Sequence, residues 1–300
     1  MSHNHSHQTN NYNRSFAVGV FLNIVFVIVE ASYGVMADSL ALIADAWHNL
    51  SDVISLLLAW GAHYLSSRPA THKRTYGFGR VTILSSLLSA LLLLFALGGI
   101  FTEAIQRFFE PKAVDGLVVI IVAAVGVFIN TATALLFVSG QKHDLNLRGA
   151  YLHMAADAGV SLGVVVAGAA IMFTGWLWLD PVISLVIVWV VLIGTWTLLK
   201  ESLNLSIDAV PRDIDLIKIK SYLEGFSRVS QIHDLHVWAL STRQNALSVH
   251  LICSDAKVDN SFLAEVHEGL HHKFKIEHAT IQVEDENGED LCRLNHPHCT

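Results

Sequence analysis

Histidine and aspartate recur at one spacing in two apolar stretches of the chain: His48 with Asp52, and His153 with Asp157. On an α-helix, residues four apart share a face. Two such faces, opposed, present two imidazoles and two carboxylates. That donor set suits a tetrahedral divalent cation, with Zn²⁺ the first choice. Polar residues in membrane helices also serve as hydrogen-bonding glue between helices. The repetition of one pattern in two separate stretches favours metal, and a proton relay through the same groups is compatible with it. Asp45, three residues before His48, stands on a nearby face and would support the ligands from behind. Asn23, Glu30 and Asn130 either line an ion path or tie helices together. His63, near the end of its stretch, reads as an interfacial residue.

These groups need membrane helices to hold them. Of 300 residues, 53% are apolar and only 15% charged, and the mean hydropathy is +0.48. Soluble chains carry about 25% charged residues, so an ordinary soluble protein is excluded. Six apolar stretches, at about 16–37, 39–65, 81–106, 116–138, 148–173 and 176–199, approach the ~20 residues that span a bilayer as helix. The polar N-terminus shows no cleavage pattern, so the first stretch is expected to stay in the chain. Arg14, Arg68, Lys73, Arg74, Arg80, Lys142, Arg148 and Lys200 fall on one side of the spans, and only Arg107 and Lys112 on the other. The positive-inside rule then predicts both termini in the cytoplasm.

Charge marks the next boundary. Residues 1–200 hold ten Lys/Arg and ten Asp/Glu, whereas 201–300 hold nine and sixteen, and so carry the whole net charge of -7. Nucleic acid is an unsuitable partner for such a chain. Three cysteines, Cys253, Cys292 and Cys299, exclude a disulfide scaffold. The domain reading is a His-bearing tail at 1–15, a six-helix membrane domain at 16–200, a second domain at 201–288 and a Cys/His tail at 289–300. In the second domain Ile214, Ile217, Tyr222 and Leu223 recur at helical spacing over 213–225. Residues 229–240, 245–253 and 278–284 read as strands, with alternation in Leu247, Val249 and Leu251. Leu263, Val266, Leu270 and Phe274 mark an amphipathic helix over 260–274. The order αββαβ predicts helices layered on a sheet.

The run from Leu22-Asn23 through Phe26, Glu30, Gly34 and Ser39–Asp52 resembles the signature of the cation diffusion facilitator family, zinc-transporting branch, and the resemblance extends over nearly the whole chain. It implies six transmembrane helices, a ferredoxin-like cytoplasmic domain that dimerises, and a transport site at His48, Asp52, His153 and Asp157. It also implies regulatory metal ligands at His233, His250 and Glu284, on three strands, with His278 as a further candidate. Some members carry a second site in the loop after the second span. Here the matching positions are Thr71, Arg74 and Phe78, so no metal is expected in that loop. Arg80 matches a basic position that pairs with an acid near the end of the sixth span, and Asp208 is the candidate partner. His236, His267, His271 and His272 are expected to face solvent. His3, His5 and His7 at one end, and Cys292, His296, His298 and Cys299 at the other, either bind metal or form plain tails. A cytoplasmic location argues against a Cys292–Cys299 disulfide.

The function expected is efflux of Zn²⁺ from the cytoplasm by proton antiport, in a homodimer. Protons compete with metal for imidazole and carboxylate, so protonation on the outward side favours release and resets the carrier. A membrane metalloenzyme would want an open metal position and a base, as in H-E-x-x-H, and none is present. A non-transporting zinc sensor would need no ligands at mid-membrane. Cd²⁺, Co²⁺ and Ni²⁺ remain alternative or additional substrates. The short N-terminus and compact loops suggest a bacterial inner membrane.

Overall fold

The structure is a computed structural model that describes residues 9–138, 145–254 and 260–285; at some helical positions, His63 and His153 among them, it describes the backbone alone. Six long helices come first: α1 (Thr9–Met36), α2 (Leu40–Ser66), α3 (Val81–Phe109), α4 (Gly116–Phe137), α5 (Leu145–Thr174) and α6 (Leu179–Ser206). Among the described residues, four helical segments are long and apolar enough to cross a membrane: Val81–Phe109, Gly116–Leu135, Met154–Thr174 and Leu179–Ser206. Asp45, His48, Asn49 and Asp52 make α2 more polar than these. By contact the chain divides into two compact units, Met1–Leu57 with Leu88–Thr197, and Leu58–Leu87 with Leu198–Thr300.

In the first unit the helices share a core of Leu42 on α2, Leu97 and Ile100 on α3, Val119 and Val122 on α4, Val164 on α5, and Ile187 and Val188 on α6. Large apolar side chains also point away from that core, with Phe95 86% and Phe173 80% exposed. Water would penalise such a surface, and hydrocarbon does not. Close helix approach depends on small residues. A Cβ on Gly116 of α4 would sit 2.9 Å from the Gly168 carbonyl of α5, so any side chain there would force the two backbones apart.

The turn between α1 and α2 is held by three other elements. Ser39 Oγ donates to Asp180 Oδ1 at 2.6 Å, and the backbone N–H of Leu40 donates to Oδ2 at 2.8 Å. Asp180, at the start of α6, thus caps the N-terminus of α2, and its negative charge suits the positive end of that helix. Arg107, at the end of α3, is 5% exposed; it pairs with Asp38 Oδ1 at 2.7 Å and donates to the Asp38 carbonyl. The N–H of Asp115, the N-cap of α4, bonds the Ala37 carbonyl. These bonds fix the start of α2, and so the register of the polar residues that follow on it.

The second unit contains α7 (Leu216–Glu224), β1 (Val229–Ala239), β2 (Asn245–Cys253), α8 (Asn260–Phe274) and β3 (Ile276–Asp285). This is the αββαβ order read from the sequence. The sheet runs β1-β2-β3, antiparallel between β1 and β2 and parallel between β2 and β3. Leu247, Val249 and Leu251 face Ile219 and Leu223 of α7 and Phe262, Val266 and Leu270 of α8, all buried in one core. Side chains alternate along a strand, so His250 stands on the opposite face. One expectation fails in detail. Ile217 is 79% exposed, and Ile219 with Leu223 forms the buried stripe. Asp215 caps α7 through the N–H groups of Ile217 and Lys218, and with the helix started there the i, i+4 pair that faces the sheet is 219/223.

The loop before α3 packs on the sheet within this unit. A Cβ on Gly79 would lie 2.7 Å from the Leu240 carbonyl, so only glycine fits. The N–H of Thr242 donates to Thr82 Oγ1 at 3.0 Å. Arg80 Nη2 donates to Asp208 Oδ1 at 2.5 Å, which brings the two expected partners together. In the same loop Thr71 bridges Arg74 by backbone hydrogen bonds, and the Arg74 guanidinium lies 4.7 Å from the centre of the Phe78 ring.

Candidate metal centres

The helical cluster is built by α2 and α5. Helix α2 presents His48 and Asp52 one turn apart, and α5 presents Asp157. His48 Nε2 lies 3.1 Å from Asp157 Oδ1 and 3.9 Å from Asp52 Oδ2. All three offer a ligand atom within 4.8 Å of the others. Atoms bound to tetrahedral zinc at 2.0–2.1 Å lie about 3.3 Å from one another, and the observed separations bracket that figure. Asp157 is 2% exposed, whereas the side chains of His48 and Asp52 are 14% and 25% exposed. His153 is one turn before Asp157 on α5.

Around these three residues lie further buried polar groups. Asp45 is 0% exposed, and its Oδ2 accepts from Ser161 Oγ of α5 at 2.9 Å. Glu30 is equally buried, and its Oε2 accepts from Asn49 Nδ2 at 3.2 Å. Asn130 is 0% exposed, and neither its amide atoms nor Asn23 Oδ1 has a hydrogen-bond partner among the described residues. Asn49 and Ser161 escaped the sequence reading. Spacing could have found both, since they lie four residues after Asp45 and Asp157 and therefore on the same helix faces.

The sheet cluster takes one residue from each strand. His233 and His250 are direct cross-strand partners, with ring centroids 4.9 Å apart. Glu284 joins them from β3: Oε2 is 3.0 Å from His233 Nε2, and Oε1 is 3.0 Å from His250 Nδ1. Gln282 donates to the same Oε1 at 2.8 Å and holds the carboxylate in place. Asp234, also missed in the sequence, sits where the β1–β2 register shifts and has a positive φ of 54°. That bulge brings its Oδ2 to 3.6 Å from His250 Nε2, while Oδ1 meets His236 Nε2 at 2.9 Å. The hydrogen bond from His236 holds the Asp234 carboxyl below its ordinary range.

His278 does not join this cluster. It lies six residues before Glu284 on β3, about 20 Å along the strand, and its ring stacks edge-on against Tyr76. His236, His267, His271 and His272 are exposed. His3, His5 and His7 and the group Cys292, His296, His298 and Cys299 lie outside the described residues.

A His/Asp cluster among packed apolar helices, joined in one chain to an α+β domain, has the make-up of an integral membrane protein that handles metal cations. Residues 16–205 match the family described as "Cation efflux transmembrane domain", and residues 211–286 match "Cation efflux protein, cytoplasmic domain". The metal cation efflux system protein CzcD of Cupriavidus metallidurans is 39% identical over 94% of this chain and 89% of its own length. The cadmium, cobalt and zinc/H(+)-K(+) antiporter of Bacillus subtilis is 34% identical over 95% and 93%. The zinc transporter ZitB of Escherichia coli is 34% identical over 98% and 96%. This chain belongs to the cation efflux, or cation diffusion facilitator, family: it is an integral membrane metal cation efflux transporter with a C-terminal cytoplasmic domain.

Proposed function

We propose that the chain exports Zn²⁺ from the cytoplasm in exchange for protons, through a site formed by His48, Asp52, His153 and Asp157. The observation that carries this reading is the convergence of His48, Asp52 and Asp157 at ligand spacing between two helices. His153, one turn from Asp157, completes two imidazoles and two carboxylates. Four protein ligands close a tetrahedral shell and leave no position for catalysis. Metal requires neutral imidazole and ionised carboxylate, so a proton arriving from the outward side competes at the ligand atoms themselves. Rocking of helices around a midplane site delivers it alternately to the two sides.

In this reading residues 16–200 form the transport domain, 201–288 the regulatory and dimerising domain, and the segments 1–15 and 289–300 are cytoplasmic tails of a bacterial inner-membrane protein. Zinc bound at His233, His250 and Glu284 tightens the homodimer and biases the carrier. It can do so only to the extent that two states differ in zinc affinity. The Arg80–Asp208 pair acts as a hinge pin. The name of the Bacillus relative, which gives cadmium, cobalt and zinc, favours Cd²⁺ and Co²⁺ as further substrates, and a His/Asp site also admits Ni²⁺. A direct test is Zn²⁺ uptake into proteoliposomes with and without an imposed pH gradient. Antiport predicts gradient-driven zinc flux with opposite proton movement. Flux indifferent to the gradient would remove the proton-coupled reading.

A further inference from the structure

Next to the proposed metal centre two acids from different helices, Glu30 and Asp45, come together. Glu30 of α1 and Asp45 of α2 are each 0% exposed. Each spends one oxygen on a neutral donor: Glu30 Oε2 on Asn49, and Asp45 Oδ2 on Ser161. The remaining oxygens, Glu30 Oε1 and Asp45 Oδ1, have no donor among the described residues. The two carboxyls are within hydrogen-bonding reach of each other. Two buried carboxylates in contact repel and cannot both stay ionised. A single proton placed between them turns that repulsion into a hydrogen bond and satisfies both stranded oxygens at once.

We infer that Glu30 and Asp45 form a proton-binding pair, separate from the metal ligands, that holds one shared proton when no metal is bound and gives it up when metal binds. This rests on the proton-exchange reading above and adds a place for a proton that is not on a ligand. The charged groups acting on the pair from neighbouring elements are His48, on its own helix α2, and Asp157 of α5. Asp45 is three residues before His48, about 4.5 Å along the helix axis. A divalent cation arriving at His48, Asp52 and Asp157 therefore adds positive charge close to the pair. That charge stabilises the fully ionised pair and repels the shared proton, which leaves as H⁺ with no other bond broken. When the metal departs, a proton returns. The antiport stoichiometry would then include a proton held away from the ligand shell.

The test uses the full-length chain in lipid nanodiscs, with Zn²⁺ as the probe. Infrared difference spectra should show a protonated-carboxyl band in the metal-free protein that is lost when Zn²⁺ is added. Glu30→Gln keeps a donor for Asp45 Oδ1 but removes the shared proton. It should abolish the band and lower the protons released per zinc bound, read in weak buffer, by about one. Asp45→Asn is the second variant and should do the same if Glu30→Gln does not fold. A parent protein without the band would overturn the pair. A band that zinc leaves untouched, or equal proton release per zinc in parent and both variants, would overturn its coupling to metal. A parent that releases no protons at all would instead strike the antiport reading, and the band would still report on the pair.

Discussion

In the helical unit one helix supplies both His48 and Asp52 and a second supplies Asp157, whereas in the sheet unit three strands supply one residue each. The helical centre is assembled by i, i+4 spacing, so it is written locally in the sequence. The sheet centre is assembled by register: His233 faces His250, and Glu284 reaches them diagonally from β3. Its residues are far apart in the chain and meet only when the sheet forms. In the helical cluster Asp157 is 2% exposed, while His48 and Asp52 are partly buried, as are His233, His250 and Glu284 on the sheet face opposite the α7/α8 core. What separates the two is assembly: helix motion can open a site between packed helices to one side or the other, whereas the sheet cluster is held by strand register.

That contrast can be broken by mutation. The largest effect is expected for His153→Ala, which removes one of four proposed transport ligands: zinc flux in proteoliposomes should fall by about 100-fold or more, since even outer-shell partners of a metal are worth about 10–100-fold. A variant that transports normally would expel His153 from the site. Next is Glu284→Ala, the residue bridging both sheet histidines. Zinc affinity of the cytoplasmic site, read by calorimetry, should fall by at least about 100-fold. Asp234→Asn should weaken the same site by about 10-fold and leave the membrane site unchanged.

Asp180→Ala touches neither candidate metal centre. It strands the buried Ser39 hydroxyl and the α2 N–H groups, at a cost of about 1–3 kcal/mol in stability, visible as a lower unfolding midpoint. The smallest effect concerns pH. The Lys218 backbone N–H, with other contacts to its N-cap, holds the Asp215 carboxyl below its ordinary value. A lowered folded pKa contributes stability above the unfolded value, about 3.9, and loses it as pH falls through the folded value. Stability of the cytoplasmic part should therefore drop slightly more below about pH 4 in the parent than in Asp215→Ala.

What could be read in advance follows the same division. Apolar length marked the six helices, and alternation in Leu247, Val249 and Leu251 marked a strand. Because helical spacing is visible in sequence, the H-x-x-x-D spacing put His48 and Asp52 on one helix face, and the structure brings both to Asp157 of α5. Asp234 was invisible, because its role depends on a bulge that shifts strand register. The cap by Asp180 and the clasp by Arg107 were invisible too, since they join residues far apart through a turn that no periodicity announces. His278 shares a strand with Glu284, and strand membership alone said nothing about the distance between them.

The most direct test of the account sets the two centres side by side: zinc flux into proteoliposomes for the parent, Asp157→Ala and Glu284→Ala, across a range of zinc concentrations. The account predicts no flux from Asp157→Ala at any concentration, and continued flux with an altered zinc dependence from Glu284→Ala. Persistent flux in Asp157→Ala, with loss of flux in Glu284→Ala at every concentration, would contradict it.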